Sequence, residues 1–207
     1  MPAMIEEEHA EEAKTLTAVS SNLEGEYWNI FLLLVLYTLQ GIPMGLAALL
    51  PLILKEHHVS FSALGTFSLV SYPFSLKLLW APIVDSVYIP SFGRRKTWLI
   101  PVQLLIGLVM IWVSFSLKDQ LYVEQPHIHS LTLQFFFLYF LCATQDIAVD
   151  GWALTMLRRE NVGYAATTNS IGQTLGYAIG FTGFMALEQF ELATLPGFMF
   201  VWGFGFV

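Results

Sequence analysis

Three charged side chains lie inside otherwise apolar stretches of this sequence, and their types and spacing could do chemistry. Lys77 lies in one apolar stretch, and Asp146 and Asp150 lie four residues apart in a later one, which places both carboxylates on one face of a helix. A charge near the centre of a bilayer costs at least about 2.5–3.5 kcal/mol on insertion scales, so it usually has a partner or a task. We therefore predict that Lys77 pairs with Asp150, or with Asp146 one turn deeper.

The depth of these residues supports such a pairing. Lys77 lies eight residues before Asp85, and Asp150 lies eight residues before Arg158, where polar loops begin. At about 1.5 Å per helical residue, both charges lie roughly 12 Å below the boundary on the same side. The pair could be a fixed salt bridge between two helices, a site where Lys77 binds an anionic substrate, or a route for proton coupling through an aspartate.

The apolar stretches that carry these residues are long enough to be membrane-spanning helices. The composition is 56% hydrophobic and only 12% charged, and residues 27–54 contain no charged side chain. A bilayer core needs about 20 apolar residues in a helix. The sequence therefore predicts an all-α polytopic transmembrane helical bundle with about five complete spans and part of a sixth. We place the spans at 30–54, 61–84, 97–117, 130–155 and 164–187, with the sixth beginning near 192.

The segment before the first span differs sharply in composition. Residues 1–26 hold seven of the sixteen acidic residues and few large apolar ones. This composition predicts a disordered acidic tail ahead of the bundle at 27–207. The net charge of −7 arises largely from this tail, so it does not indicate a basic partner, and we expect no nucleic-acid partner either.

The distribution of Lys and Arg predicts the orientation of the chain. If the spans alternate, the tail and the loops at 85–96 and 156–163 share one side of the membrane. That side carries six basic residues, whereas the other carries only Lys55 and Lys118. Because Lys and Arg are enriched in cytoplasmic loops, we predict that the amino terminus is cytosolic.

One predicted cytosolic loop combines a carboxylate with a basic cluster. Asp85 ends the second span, and the residues before the third are Gly93, Arg94, Arg95 and Lys96. The planar fork of arginine suits carboxylates and exposed helix carbonyls, and Gly93 permits a tight turn. We call these five residues the loop latch, because they could hold adjacent helices together; the alternative is a cluster that only sets topology.

Glycines recur at helical spacing in two spans. Gly172, Gly176 and Gly180 share one face of the fifth, and Gly41 and Gly45 share a face of the first. Small residues at this spacing let helix backbones approach closely in lipid. Pro43 lies between the last two glycines and predicts a kink, which could serve packing alone or let the two halves of the helix rock during transport.

Several of these motifs resemble those of known transporters. Ala81-x-x-x-Asp85 with Gly93-Arg-Arg-Lys96 resembles the loop between helices two and three of the major facilitator superfamily, although that signature has Gly in place of Ala81 and a shorter loop. Three further groups of segments closely resemble the acetyl-coenzyme A transporter family. They are Leu39-Gln-Gly-Ile-Pro43 with Pro73-Phe-Ser-Leu-Lys77-Leu-Leu-Trp80-Ala-Pro82, then Ala143-Thr-Gln-Asp146-Ile-Ala-Val-Asp150-Gly-Trp152, and Arg159-Glu-Asn-Val-Gly163-Tyr with Asn169-Ser-Ile-Gly172-Gln173-Thr-Leu-Gly176-Tyr.

The resemblance implies import of acetyl-coenzyme A, the transported substrate, from the cytosol into the lumen of the endoplasmic reticulum. Members have about twelve helices with the substrate near the midplane between two halves. This chain would therefore be an amino-terminal half, as a fragment, an incomplete gene model or a truncated isoform. Bacterial permeases for peptidoglycan fragments share the Gln-Asp-x-x-x-Asp helix, so another solute is an alternative. A truncated, non-transporting membrane protein that pairs with other chains through its glycine faces, as a homo-oligomer would, is a third.

The chemistry of acetyl-coenzyme A suggests substrate contacts. Lys77 would bind a phosphate, and the rings of Tyr72 and Trp80 could contact the adenine. Uncharged polar side chains at membrane depth could line a cavity or hydrogen-bond between helices: Gln40, Gln145, Asn169 and Gln173. The sequence contains no metal-ligand cluster and no nucleophile–base set, so we expect neither an enzyme nor a cofactor.

Overall fold

A computed structural model of the protein describes residues 23–207, and all regular structure in that range is helical. Three helices are long and apolar enough to cross a membrane: α1 (Tyr27–Glu56), α5 (Lys96–Leu121) and α6 (Ile128–Met156). The prediction of an all-α chain with membrane-spanning helices is therefore confirmed for this part of the chain, and the number of spans stays a prediction. Most of the predicted acidic tail, residues 1–22, lies outside the described residues.

The second predicted span is built from short helices rather than one long one. It comprises α2 (Phe61–Phe67), α3 (Tyr72–Leu76) and α4 (Ala81–Ser86), joined by 3-10 turns at Ser68–Ser71 and Lys77–Leu79. Prolines lie in the first turns of α3 and α4, at Pro73 and Pro82. Proline has no backbone N–H to donate to the preceding turn, so it interrupts a helix but is tolerated in a first turn, which is where both prolines lie. As a result, Lys77 begins a turn between two helices.

The fifth predicted span is helical from Gly163 to Gln189 and contains one irregularity. It consists of α7 (Gly163–Ala178), a π-helical turn at Ile179–Gly183 and α8 (Phe184–Gln189). The last helix, α9 (Leu195–Phe206), is capped by Thr194, whose hydroxyl accepts a hydrogen bond from the backbone N–H of Gly197 at 3.3 Å.

The first helix continues through both of its prolines. α1 contains Pro43 and Pro51 and is not interrupted at either one, and the kink at Pro43 stays a prediction. Prolines are tolerated in membrane helices because neighbouring groups can satisfy the freed carbonyls.

Close backbone contact joins α1 to the fifth segment along the glycines that the sequence singles out. A Cβ atom at Gly176 would lie 2.8 Å from Cα of Gly41, and one at Gly41 would lie 2.8 Å from the backbone nitrogen of Tyr177. These distances are too short for any side chain, so the glycines allow the two helices to touch. A similar contact joins α5 to α9, where a Cβ at Gly107 would lie 2.6 Å from the carbonyl oxygen of Gly203.

The helix α6 lies at the centre of the bundle. It contacts α1, α5 and the short helices of the second segment, and also packs against α7. Its residues 141–149 are all buried, including the polar residues Thr144, Gln145 and Asp146. The central helix therefore carries polar groups where neighbouring helices can reach them.

Candidate functional site

The three intramembrane charges meet in one cluster. The Lys77 ammonium donates a hydrogen bond to Oδ2 of Asp146 and lies 3.7 Å from Oδ2 of Asp150. The Asp146 side chain is only 3% exposed, whereas that of Asp150 is 42% exposed and that of Lys77 is 29% exposed. Lys77 thus holds a buried partner and an accessible one at the same time.

Two amide side chains of α7 complete the hydrogen bonding of these aspartates. Asn169 donates to Oδ1 of Asp150 at 3.1 Å, and Gln173 donates to Oδ1 of Asp146 at 3.1 Å. The two amides are four residues apart, as are the two carboxylates, so both pairs recur after about one helical turn. The result is two hydrogen-bonded steps between α6 and α7.

The first helix contributes a group that sequence reasoning missed. The hydroxyl of Tyr37 donates to Oδ1 of Asp150 at 2.7 Å, and the Tyr37 side chain is buried. Tyr37 lies in an uncharged apolar run, where nothing in the sequence sets it apart from the other tyrosines. We call Lys77, Asp146 and Asp150, with Tyr37, Asn169 and Gln173, the polar cluster.

Gln40 and Gln145 lie elsewhere in the interior. Both are fully buried. Gln40 donates to the backbone carbonyl of Cys142 at 3.2 Å, and Gln145 donates to the side-chain oxygen of Gln103. These contacts join α6 to α1 and to α5, which favours the interhelical interpretation of both glutamines.

The two candidate aromatic residues differ in their surroundings. Trp80 donates from its ring nitrogen to the hydroxyl of Thr144 at 3.1 Å, and its ring centroid lies 4.9 Å from that of Phe140. Tyr72 is 51% exposed. Trp80 therefore fastens the start of α4 to α6, while the Tyr72 ring remains accessible.

The loop latch residues also come together. The Arg95 guanidinium donates to Oδ1 of Asp85 at 2.5 Å, and Arg94 donates to the backbone carbonyl of Asp85 at 2.6 Å. Gly93 has φ of +97°, a left-handed conformation that glycine adopts without strain. Lys96 is the first residue of α5. Asp85 therefore binds both arginines, one through its side chain and the other through its backbone.

The loop latch adjoins the polar cluster. The Arg95 guanidinium lies where a Cβ atom at Gly151 would be, so it rests directly on the backbone of α6. Gly151 follows Asp150 in the chain. Gly151 could not be singled out from the sequence, because its role depends on this contact with Arg95, which is distant in the chain.

A further polar contact joins the start of α1 to the loop after α6. The Glu26 carboxylate accepts hydrogen bonds from the Arg158 backbone N–H at 2.6 Å and from the side-chain amide of Asn161. Nearby, Asn29 donates to the backbone carbonyl of Met156 at 3.3 Å. Glu26 is 3% exposed, although the sequence analysis assigns it to the tail. We call Glu26, Arg158 and Asn161 the terminal clasp.

The environment of Glu26 favours its ionised form. The hydrogen bond from Asn161 lowers the pKa of the Glu26 carboxyl; burial opposes this, and the backbone N–H and the charge of Arg158 assist it. Since Glu26 was grouped with the other acids ahead of the first span, nothing in the sequence distinguished it.

Metal chemistry has no obvious location in the described part of the chain. Within residues 23–207, no group of three or more His, Cys, Asp or Glu side chains could hold a metal ion.

The regular structure of residues 23–207 is all helical, with several membrane-spanning helices and a polar cluster among them, which defines a multi-pass helical membrane protein. A family model described as acetyl-coenzyme A transporter 1 matches residues 29–195. The chain belongs to this family, as the sequence resemblance predicted.

Similarity to individual proteins agrees with this membership. The chain is 46% identical over 166 residues to an uncharacterized protein of Schizosaccharomyces pombe, covering 80% of this chain and 32% of that protein. It is 42% identical over 181 residues to an uncharacterized membrane protein of Saccharomyces cerevisiae, covering 79% and 32%. It is also 27% identical over 164 residues to the anhydromuropeptide permease of Escherichia coli, covering 76% and 32%. The chain thus spans about a third of the length of these relatives.

Proposed function

We propose that this chain forms part of a transporter that moves acetyl-coenzyme A from the cytosol into the lumen of the endoplasmic reticulum, with a cytosolic amino terminus. The observation that carries the proposal is the polar cluster, in which side chains from four helical segments meet around Lys77. Charged residues within membrane segments commonly mark substrate or ion pathways. Membership of the acetyl-coenzyme A transporter 1 family supplies the substrate.

The architecture of the proposal follows that of superfamily transporters. Residues 27–207 would form the amino-terminal half of the bundle, and a second half would provide the opposite wall of the substrate site. The accessible carboxylate of Asp150 and the partly exposed Lys77 would face that wall. The loop latch and the terminal clasp would lie on the cytosolic side, where the basic residues are concentrated.

A second candidate function is the transport of another solute, such as a peptidoglycan fragment. It is favoured by the similarity to the anhydromuropeptide permease of Escherichia coli over 76% of this chain. The sequence identity to this permease is 27%, lower than the 46% and 42% identity to the two yeast relatives, so we keep acetyl-coenzyme A as the first choice.

A third candidate, a non-transporting protein that associates through its glycine faces, has lost its main support. The glycines of α1 and those of the fifth segment pack against each other within one chain. The faces that this alternative needs for a partner are therefore already occupied.

Competition for uptake separates the first two candidates. The longest product of the gene is placed in sealed proteoliposomes, and uptake of labelled acetyl-coenzyme A is measured with excess unlabelled coenzyme A or anhydromuropeptide. The proposal predicts that coenzyme A inhibits uptake and that the sugar–peptide does not. Saturable uptake of labelled anhydromuropeptide, without uptake of acetyl-coenzyme A, would favour the second candidate.

A further inference from the structure

We propose that the polar cluster contacts the uncharged amide-bearing arm of acetyl-coenzyme A, the pantetheine, and not its phosphates. This inference rests on the proposed function and assigns a part of the substrate to a part of the site. It differs from the expectation drawn from the sequence alone, in which Lys77 binds a phosphate.

The net charge of the polar cluster does not suit phosphate groups. Lys77 contributes one positive charge, and Asp146 and Asp150 contribute two negative ones, so the formal sum is −1. If Asp150 carries a proton the sum is zero. In neither state does the cluster hold the excess positive charge that a group of phosphates needs inside a membrane protein.

The Lys77 ammonium is already paired with carboxylates of the cluster. It donates to the buried carboxylate of Asp146 and lies 3.7 Å from that of Asp150. A phosphate approaching Lys77 would also approach both carboxylates, and like charges at such distances repel. Lys77 therefore acts mainly as the internal counter-ion of the two aspartates.

The groups of the polar cluster that remain available for a ligand are hydrogen-bond acceptors. Oδ1 of Asp150 accepts from Tyr37 and Asn169, but Oδ2 lies 3.7 Å from Lys77, beyond ordinary hydrogen-bond length. The carboxylates can only accept, so Asn169 and Gln173 point their amide nitrogens at them. The amide oxygens of Asn169 and Gln173 are then left as further acceptors. The accessible side of the cluster is thus rich in acceptors.

An acceptor-rich, non-cationic site suits N–H donors without negative charge. The pantetheine arm of coenzyme A carries amide N–H groups and no phosphate, which matches this requirement. The adenine amino group is the other N–H donor of the substrate, but it is joined to the phosphorylated ribose. The phosphates would then be bound by basic groups outside the polar cluster.

The test compares two fragments of coenzyme A as inhibitors. Pantetheine carries the amides without phosphates, and adenosine 3′,5′-bisphosphate carries the phosphates and adenine without the amides. Inhibition of labelled acetyl-coenzyme A uptake is measured in proteoliposomes for the wild type of the longest gene product, for Asp150→Asn and for Lys77→Gln. Asp119→Asn, at an exposed residue beyond this cluster, is the matched control.

We expect Asp150→Asn to weaken inhibition by pantetheine about tenfold, since a charge-assisted hydrogen bond is lost. Inhibition by adenosine 3′,5′-bisphosphate should change less than about twofold in Lys77→Gln, because an inhibitor bound elsewhere loses no contact. Weaker inhibition by the bisphosphate in Lys77→Gln, with pantetheine inhibition intact in Asp150→Asn, would overturn the inference. Weaker inhibition by the bisphosphate in Asp150→Asn would assign the cluster to adenine and likewise overturn it.

A variant without measurable uptake is tested by binding instead. Thermal stabilisation of the detergent-solubilised protein by each fragment then replaces inhibition, with the same expected pattern. Failure of the proposed function would look different, because the wild type itself would show neither saturable uptake nor stabilisation by acetyl-coenzyme A.

Discussion

The guanidinium of Arg95 lies on the backbone of Gly151, in the space that a side chain would fill. This contact brings the loop between α4 and α5 against α6 at the residue next to Asp150. Arg95 also donates a hydrogen bond to Asp85, so this one side chain of the loop contacts both α4 and α6. The loop latch and the polar cluster are therefore neighbours along α6.

Substitution Gly151→Ala should displace Arg95 without unfolding the protein. The group that would be hit is the far end of a flexible side chain, which can move, but it would then lose its contact with Asp85. A partly exposed ion pair of this kind contributes about 0.2–1 kcal/mol, so the loss of stability should be small. The measurement is a double-mutant cycle with Asp85→Asn in detergent-solubilised protein.

That cycle has a clear expected pattern. If Gly151→Ala acts by breaking the Arg95–Asp85 contact, the two substitutions together should cost no more than the larger single one. Fully additive losses would mean that Gly151 acts independently of Asp85.

Substitution Gly176→Ala should be much more damaging. A Cβ atom there meets the backbone of α1, including Cα of Gly41 at 2.8 Å, and backbone cannot move aside as a side chain can. Overpacking of this kind costs about 1–3 kcal/mol, and we expect a loss at the upper end of that range. The unfolding temperature should fall clearly relative to Gly163→Ala, a control on the same helix where nothing lies within 4 Å of the added atom. Equal stability of the two variants would contradict the observed helix contact.

The two aspartates of the polar cluster should differ in their effect on stability. Asp146→Asn removes the buried negative charge beside Lys77 and places an NH2 group opposite one of two donors, from Lys77 or Gln173, so it should cost about 1.5–3 kcal/mol. Asp150→Asn should cost less, because its side chain is 42% exposed and an asparagine oxygen can still accept from Tyr37. Thermal unfolding of both variants checks the order, and the reverse order would show that Asp150 is the structural partner.

The terminal clasp should make stability depend on pH. The pKa of Glu26 is lowered from its ordinary value of 4.5, chiefly by the hydrogen bond from Asn161. Because the folded-state pKa is the lower one, the stabilisation is complete at pH above 4.5 and is lost as the pH falls through the folded-state pKa. Glu26→Gln should lower the unfolding temperature at neutral pH, since an NH2 group replaces one carboxylate oxygen and faces one of the two donors, from Asn161 or Arg158.

The difference between wild type and Glu26→Gln should shrink on acidification below that value. Glu124→Gln, at an exposed acid, is the control and should show little difference at any pH. A gap for Glu26→Gln that stays constant down to strongly acidic pH would mean that ionisation of Glu26 does not contribute.

The sequence was most informative where an unpaired charge in an apolar segment would cost much free energy, because few arrangements avoid that cost. A lysine and two aspartates in apolar runs need partners, and helical rise alone placed Lys77 and Asp150 at the same depth. The glycine spacing likewise indicated which faces of α1 and the fifth segment pack closely. Both inferences use constraints that act locally or along one helix.

The rest depends on contacts between distant segments. Tyr37 could not be chosen among eight tyrosines, because its role depends on the position of Asp150 across the helix interface. Glu26 was indistinguishable from the other acids before the first span until Asn161 and Arg158 were placed beside it. The broken second segment was visible in Pro73 and Pro82, but composition alone predicted one continuous span.

The most direct test of the account is uptake of labelled acetyl-coenzyme A by the longest gene product in sealed proteoliposomes. Wild type, Asp150→Asn and the control Asp119→Asn are measured side by side. We predict saturable uptake by wild type and control, and an initial rate lower by about tenfold or more in Asp150→Asn, equivalent to at least about 1.4 kcal/mol. Equal rates in all three would show that the polar cluster is not part of the transport site, and absence of uptake by wild type would contradict the assigned substrate.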